Sequence, residues 1–350
     1  MEILSIQYLR GCAALMIVIF HSRLNGEGFE GYSSGFLQAG VDIFFVISGF
    51  IMWVTTAKGM TMLEFFRRRF IRIVPLYWLL TTVVLATLCV FPNAVQSGRF
   101  DRLHVLGSYL FFPVVHPILG IMQPLLIPGW TLNYEMFFYA IFGVALILPT
   151  IPRLVAVSTI LFALVSLPLL TTVPPLTVVE FYTFSRILEF AFGMALGWLY
   201  VGGAKLSPAT AWVSLLLGAG AIATTGNIFV ARGLWVGVPA LLVVTGAVMI
   251  ERLSGLPNIP GLHFLGNASY SLYLSHPIVV SIVRQIWRRF SLDLFPGAEL
   301  AYLCLCVASA VGVAALIYRY IEVPMLRLGR LQIFRASVPQ PPPAKPSRAL

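Results

Sequence analysis

Residues 8–21 read YLRGCAALMIVIFH, an apolar segment with an ionisable side chain near each end, Arg10 and His21. Apolar segments recur along almost the whole chain of 350 residues, which is 59% hydrophobic and 10% charged. An average soluble domain is about 25% charged, and roughly 20 apolar residues cross a bilayer as a helix. The sequence therefore predicts an all-α, polytopic integral membrane protein, because helices and closed barrels are the only lipid-exposed spanning structures and these segments lack the alternation of strands.

About ten transmembrane helices fit the apolar pattern. Their expected ranges are 6–24, 36–56, 73–91, 131–149, 154–171, 181–200, 209–225, 233–250, 265–287 and 299–320. The segment 104–129 contains Pro117, Pro124 and Pro128. Because proline interrupts helices, we expect this segment to be a re-entrant or interfacial element.

The distribution of basic residues predicts the orientation. With the N-terminus inside, thirteen lysines and arginines flank the spans on the inner side and seven on the outer side, which favours both termini in the cytoplasm. These flanks account for the formal charge of +10 without a nucleic-acid partner. The chain is interpreted as one transmembrane domain, residues 1–330, followed by a disordered, proline-rich cytoplasmic tail, residues 331–350.

Arg10 and His21 are eleven residues apart, which in a helix is three turns plus about 20° and a rise of about 16 Å. They therefore share one helix face and are separated by about half the membrane. One interpretation is that Arg10 reaches lipid headgroups and His21 binds a neighbouring carbonyl. The favoured interpretation is that both line a substrate path, because ionisable residues inside the membrane are functional by default.

A second candidate site lies in LEFFRRRFIRIVPLYW, residues 63–78. Arg69 and Arg72 are three residues apart, so they share a helix face and can bind the same anion, and Arg68 belongs to the same basic run. A positive-inside flank alone accounts for one or two basic residues. Four arginines within six positions favour a polyphosphate ligand approached from the cytoplasm, with an orientation signal as the alternative.

The stretch PGWTLNYEMFFYA, residues 128–140, places Glu135 about one turn inside the outer end of its helix. A carboxylate at that depth needs a partner. His21 lies at a comparable depth, so Glu135 is a candidate to orient its imidazole and stabilise its cation. The alternative is a structural hydrogen bond between spans.

Three further residues are candidates for the same pocket: Asp42, Trp130 and His276. Asp42 alternatively caps its helix, and His276, which precedes Pro277, alternatively binds a backbone group that the proline frees. The four cysteines fall within expected spans and show no metal-ligand spacing, so they are interpreted as buried apolar side chains and no metal is expected.

An inner cluster of cations and a polar helix face that spans half the bilayer suit a ligand with phosphates at one end and a reactive group about 16 Å away. Acyl-coenzyme A has this shape. His21 would then deprotonate a sugar hydroxyl as a general base, or would carry the acyl group transiently as a nucleophile. The sequence leaves both roles open.

Five motifs in order resemble the acyltransferase family 3 of membrane-bound O-acyltransferases. They are R-x10-H in the first span, GVDIFFVISGF in the second, RxxR at Arg69 and Arg72, W-x-L-x-x-E from Trp130 to Glu135, and SYSLYLSHP at 269–277. The form WTLNYEMFFY is similar to the exopolysaccharide (ExoZ-type) branch. The resemblance covers roughly residues 5–330.

This resemblance implies transfer of an acyl group, usually acetyl from cytoplasmic acetyl-CoA, to a hydroxyl of a polysaccharide or lipid-linked oligosaccharide at the bacterial cytoplasmic (inner) membrane. By motif match it implies catalytic-centre roles for Arg10 and His21, a donor-phosphate role for Arg69 and Arg72, and the family's acidic position for Glu135. The main alternative is a secondary transporter or flippase of lipid-linked glycan, in which Arg10, Glu135 and His21 form a substrate and proton path. A non-catalytic scaffold for polysaccharide synthesis is a third.

Overall fold

The computed structural model describes residues 2–22, 34–91, 99–225, 231–292 and 297–329. Within these ranges the chain is 80% helical and forms no strand. The closest approach to one is an isolated antiparallel bridge between Val115 and Met122. The all-α fold class is therefore confirmed. The expected tail, residues 331–350, lies outside the described residues.

The α-helices of the described residues are numbered in chain order. They are α1 (Leu4–His21), α2 (Ala39–Thr56), α3 (Met62–Val90), α4 (Arg102–Tyr109), α5 (Gly129–Ala145), α6 (Thr150–Leu170), α7 (Val178–Thr183), α8 (Leu188–Val201), α9 (Pro208–Thr224), α10 (Arg232–Trp235), α11 (Gly237–Ser254), α12 (Pro260–Asn267), α13 (Ser269–Arg289) and α14 (Ala298–Ile317). A π-helical turn, Tyr318–Glu322, continues α14.

Among the described residues, six helical segments are long and apolar enough to cross a membrane. They are Leu4–His21, Gly35–Thr56, Met62–Val90, Thr150–Leu170, Arg232–Ser254 and Ala298–Gly329. The expected count of about ten is not confirmed. The other expected spans fall on α5, α8 and α9, which have 17, 14 and 17 residues, and on α13, whose serines, histidine and arginines lower its hydropathy.

The segment 104–129 does not form a spanning helix. Its only regular helix is α4, which has eight residues, and irregular chain follows up to α5. Two buried histidines hold this chain in place: the Nε2 atom of His104 lies 2.8 Å from the carbonyl oxygen of Gln123, and its ring lies 4.7 Å from that of His116. Burial and the neighbouring His104 both lower the pKa of His116, so the neutral form of His116 is favoured in the folded segment.

Small residues allow α2 and α8 to pack with their backbones in contact. A Cβ atom added at Gly193 would lie 2.0 Å from the carbonyl oxygen of Val46, and one added at Gly49 would lie 2.1 Å from that of Phe190. Such close approach is typical of helix pairs in membranes. This packing fixes the helix α2, which forms one wall of the cavity described below.

Helix α3 begins with a cap at Thr61, whose side-chain oxygen accepts a hydrogen bond from the backbone N–H of Glu64 at 3.2 Å. The helix has 29 residues and is therefore about 43 Å long, which exceeds the ~30 Å of a hydrocarbon core. Its basic run, Arg67–Arg69, lies in the first two turns. Because α3 is longer than the hydrocarbon core is thick, the arginines near its start can lie outside that core, at one end of the bundle.

The cysteines differ from expectation. Only Cys306 is buried, whereas Cys12, Cys89 and Cys304 are exposed on the bundle surface, and none of the four forms a disulfide. The prediction of buried side chains was wrong for three of them. In a membrane bundle an apolar residue on a span can equally face lipid, so hydropathy alone does not distinguish the two environments.

Candidate functional site

A cavity of about 700 Å³ lies between α1, α2, α3, α5 and the start of α13. Its charged and polar lining residues are Arg10, Ser48, Glu64, Arg68, Arg69, Arg72, Thr131, Glu135, Tyr139, Ser269, Tyr270 and Tyr273. Five of the residues singled out in the sequence thus meet at one cavity: Arg10, Arg68, Arg69, Arg72 and Glu135. They come from three helices that are far apart in the chain.

The four guanidinium groups of the cavity differ in their partners. Arg72 donates to the carboxylate of Glu322, and Arg68 forms an i, i+4 ion pair with Glu64. Among the described residues, neither Arg10 nor Arg69 has a carboxylate within ion-pair distance, and the Nε atom of Arg69 is buried without a hydrogen-bond partner. The cavity therefore presents two cations that are available to an anionic ligand.

Glu322, the partner of Arg72, was not identified from the sequence. Glu322 is 2% exposed, ends the π-helical turn, and also accepts a hydrogen bond of 2.5 Å from the hydroxyl of Ser271. The guanidinium of Arg72 lies 5.3 Å above the ring of Tyr270. π-helical turns occur frequently at functional sites, and a break in the regular helix at 318–322 is not visible in the apolar pattern.

The carboxylate of Glu135 has different partners from the one expected. Its Oε1 atom accepts hydrogen bonds from the hydroxyls of Ser48, at 2.9 Å, and Tyr139. The structure does not bring this carboxylate to the imidazole of His21, which is not among the residues that line the cavity. Glu135 is therefore part of a hydroxyl–carboxylate cluster on the cavity wall.

His21 lies at the exposed C-terminal end of α1, against His276 of α13. The centroids of the two rings are 5.1 Å apart. His276 is fully buried and lies 6.0 Å from the ring of Tyr273, which lines the cavity and contacts Thr131 through its hydroxyl at 3.0 Å. Tyr273 thus contacts both the cavity and His276.

Asp42 neither lines the cavity nor caps its helix. Its carboxylate is fully buried and accepts two hydrogen bonds from Arg232, from Nε at 3.0 Å and from Nη2 at 2.7 Å, and the Nε atom of Arg186 lies 3.9 Å away. The guanidinium of Arg186 lies 4.8 Å from the ring centroid of Trp130. Asp42 and Trp130 therefore belong to a buried ionic cluster beside the cavity.

Neither Arg232 nor Arg186 was identified from the sequence as a partner of Asp42. In the structure Arg232 is 1% exposed. The carboxylate oxygens of Glu189 are buried near this cluster without a hydrogen-bond partner among the described residues. A bidentate pair between distant helices satisfies a buried carboxylate better than a local contact, and no local spacing indicates it.

The arrangement combines unmatched cations, a carboxylate with two hydroxyls and a nearby pair of imidazoles. Unmatched guanidinium groups bind phosphate, and imidazole transfers protons near neutral pH. In the part of the chain that the structure describes, no group of three or more His, Cys, Asp or Glu side chains is placed to hold a metal ion. The site is therefore suited to anion binding and proton transfer.

Residues 3–319 match the family described as acyltransferase domain. The chain is 38% identical over 300 residues to the exopolysaccharide production protein ExoZ of Rhizobium meliloti, with 83% of this chain and 90% of ExoZ covered. It is 26% identical to the peptidoglycan O-acetyltransferase OatA of Listeria monocytogenes and to the O-acetyltransferase OatA of Staphylococcus aureus; the matches cover 95% and 92% of this chain and 57% of each OatA. No solved structure matches the chain. The match over residues 3–319, together with the similarity to ExoZ, shows that this multi-pass membrane protein belongs to the acyltransferase family 3.

Proposed function

We propose that the protein transfers an acetyl group from cytoplasmic acetyl-CoA to a hydroxyl of a bacterial exopolysaccharide, or of its lipid-linked precursor, across the inner membrane. The observation that carries this proposal is the convergence of Arg10, Arg69 and Arg72 on one cavity, while His21 lies beyond that cavity on the same helix as Arg10. Similarity to the exopolysaccharide production protein ExoZ and to the O-acetyltransferases OatA supports the reaction and the class of acceptor. The proposal takes both termini as cytoplasmic, with about ten spans.

The donor's phosphates would bind the arginines of the cavity. Among the described residues, Arg10 and Arg69 have no carboxylate partner to displace, and guanidinium groups bind phosphate oxygens through paired hydrogen bonds. The thioester would then extend toward the histidine pair. The rise of about 16 Å from Arg10 to His21 along α1 is a distance that a pantetheine arm can reach.

The chemistry of His21 follows from its hydrogen bond to its own helix. Its Nδ1 atom lies 2.9 Å from the carbonyl oxygen of Ile17. A carbonyl only accepts, so in the neutral ring Nδ1 carries the hydrogen and Nε2 carries the lone pair. Nε2 is therefore the basic nitrogen.

In direct transfer, Nε2 takes the proton of the sugar hydroxyl, the hydroxyl oxygen attacks the thioester carbonyl carbon, and the C–S bond breaks. The leaving thiolate then receives the proton from Nε2. In the alternative, Nε2 attacks the carbonyl itself and the thiolate leaves. The sugar hydroxyl then attacks the acyl carbon, the bond from that carbon to Nε2 breaks, and the hydroxyl proton passes to the thiolate. Both routes use the same nitrogen.

The test uses purified protein in lipid vesicles, with labelled acetyl-CoA on one side and exopolysaccharide on the other. We expect label in the polysaccharide, and loss of transfer in His21→Ala. The matched control is His263→Ala, because His263 lies on α12 beside Glu2 and away from the cavity. Acetyl phosphate, which lacks the long arm, should not serve as donor. Transfer at the wild-type rate in His21→Ala, or equal transfer from acetyl phosphate, would contradict the proposal.

A further inference from the structure

One imidazole nitrogen of His276 forms a hydrogen bond with the backbone of its own helix. The other has no hydrogen-bond partner among the described residues. Its Nδ1 atom lies 2.7 Å from the carbonyl oxygen of Tyr273, three residues earlier in α13. Its Nε2 atom is buried and has no hydrogen-bond partner among the described residues. A buried polar atom without a hydrogen bond costs free energy. If His276 only packed against its neighbours, its buried Nε2 would bring this cost without any benefit.

The carbonyl of Tyr273 determines the tautomer. It accepts the hydrogen on Nδ1, so the neutral ring carries a lone pair on Nε2. His276 thus offers an acceptor, as His21 does. In both histidines Nδ1 contacts a backbone carbonyl oxygen of the helix that carries the ring. Nε2 is the nitrogen that does not take part in this contact.

The two rings are in direct contact. Their centroids are 5.1 Å apart and their planes are inclined by 49°, within the range of interacting rings. No hydrogen bond joins the two rings among the described residues. When His21 takes up a proton, its Nε2 becomes a donor, and the unpartnered Nε2 of His276 is an acceptor on the ring packed against it. A hydrogen bond to a charged group is about twice as strong as a neutral one.

We propose that His276 is a positioning residue for His21, whose Nε2 accepts a hydrogen bond from the His21 imidazolium formed during acetyl transfer. The inference rests on the proposed function. The sugar hydroxyl loses its proton to Nε2 of His21 while its oxygen forms a bond to the thioester carbonyl carbon. The new N–H is shared between Nε2 of His276 and the substrate, and the same proton passes to the leaving thiolate when the C–S bond breaks. His276 neither gains nor loses a proton overall.

The test compares two amide variants that retain different halves of the imidazole. His276→Gln can place an amide oxygen near the position of Nε2, whereas His276→Asn can place one only near Nδ1. We expect His276→Gln to keep kcat within about threefold of wild type. We expect His276→Asn and His276→Ala to lose about ten- to a hundredfold in kcat, with the KM for acetyl-CoA unchanged, because a hydrogen bond made only to the charged intermediate is lost.

Unfolding midpoints of the variants in detergent identify any that fail to fold, and the two amides differ by a single methylene. Equal kcat in His276→Gln and His276→Asn, or a raised KM with unchanged kcat, would overturn the inference. The wild-type protein and His21→Ala test the proposed function in the same assay. If the wild type transfers acetyl and His21→Ala does not, equal amide variants overturn only the role of His276; if the wild type transfers nothing, both ideas fail.

Discussion

Arg72 is predicted to stabilise the fold as well as to bind the donor, because it neutralises a buried carboxylate. Glu322 is 2% exposed, and its other hydrogen-bond donor is the hydroxyl of Ser271. In Arg72→Ala that carboxylate keeps a single neutral donor among the described residues. Removing one partner of a buried ion pair costs about 3–5 kcal/mol. Since the Arg72 side chain is itself 26% exposed, we expect the free energy of unfolding to fall by about 3 kcal/mol, the lower end of that range.

Two further variants separate the lost charge from the lost side chain. The double variant Arg72→Ala/Glu322→Gln has no uncompensated charge, so we expect it to recover about 2 kcal/mol relative to Arg72→Ala. Arg68→Ala is the matched control in the same basic run. Its ion pair with Glu64 is exposed, 49% and 36% for the two side chains, and we expect a loss below about 1 kcal/mol.

The free energies of unfolding are measured in mixed micelles by titration with sodium dodecyl sulfate. If Arg72→Ala is no less stable than Arg68→Ala, or if adding Glu322→Gln recovers no free energy of unfolding, Arg72 does not stabilise the fold by neutralising Glu322. Donor binding provides an independent readout. The double variant should regain stability while its KM for acetyl-CoA stays raised, because Glu322→Gln does not restore the missing guanidinium.

The remaining predictions concern donor binding and helix packing. Arg69→Ala should raise the KM for acetyl-CoA about ten- to a hundredfold with little change in kcat, since it removes from the cavity a cation that has no carboxylate partner among the described residues. Arg67→Ala, which lies outside that cavity, should leave this KM unchanged. Equal KM values in the two variants would contradict the assignment of Arg69 to donor binding. Gly193→Ala should lose about 1–3 kcal/mol or more in the same unfolding titration, because its Cβ would lie 2.0 Å from a carbonyl oxygen of α2. Gly220→Ala, where a Cβ meets no atom within 4 Å, should change stability by less than about 1 kcal/mol.

Helix positions followed from the sequence wherever an apolar run was long. The expected spans 6–24 and 299–320 correspond to α1 (Leu4–His21) and α14 (Ala298–Ile317). The expected count of spans is not confirmed for short or polar helices such as α13 (Ser269–Arg289), which forms where the span 265–287 was expected but is not among the six candidate spans of the described residues. Such helices contact protein more than lipid, so their composition is set by their neighbours in the bundle and not by the hydrocarbon.

The cavity was predictable in part because its residues are related by helical spacing. Arg69 and Arg72 share a face of α3, and both line the cavity that Arg10 reaches from α1. Their partners were not predictable. Glu322 is 250 positions from Arg72, and Asp42 is 190 positions from Arg232. A carboxylate removed from water needs a close, well-aligned cation, and only the tertiary fold brings these distant residues together.

The proposed reaction makes a particular demand on α1, because one rigid helix carries both Arg10 and His21. A rotation of α1 by a single residue, about 100°, would turn the face that carries both side chains away from its present neighbours. Three contacts oppose such a rotation. The carboxylate of Glu251 accepts hydrogen bonds from the backbone N–H groups of Leu4 and Ser5, at 2.9 and 2.8 Å, and so caps the helix.

The second contact is with α12. A Cβ atom added at Gly266 would lie 2.1 Å from the carbonyl oxygen of Gln7, so the two backbones touch one turn before Arg10. At the other end of α1, Nη2 of Arg284 donates to the carbonyl oxygen of His21 at 3.3 Å. These contacts hold both ends of α1 against other helices. The distance between Arg10 and His21 is therefore set by the helix itself, and the orientation of α1 is set by its contacts with α11, α12 and α13.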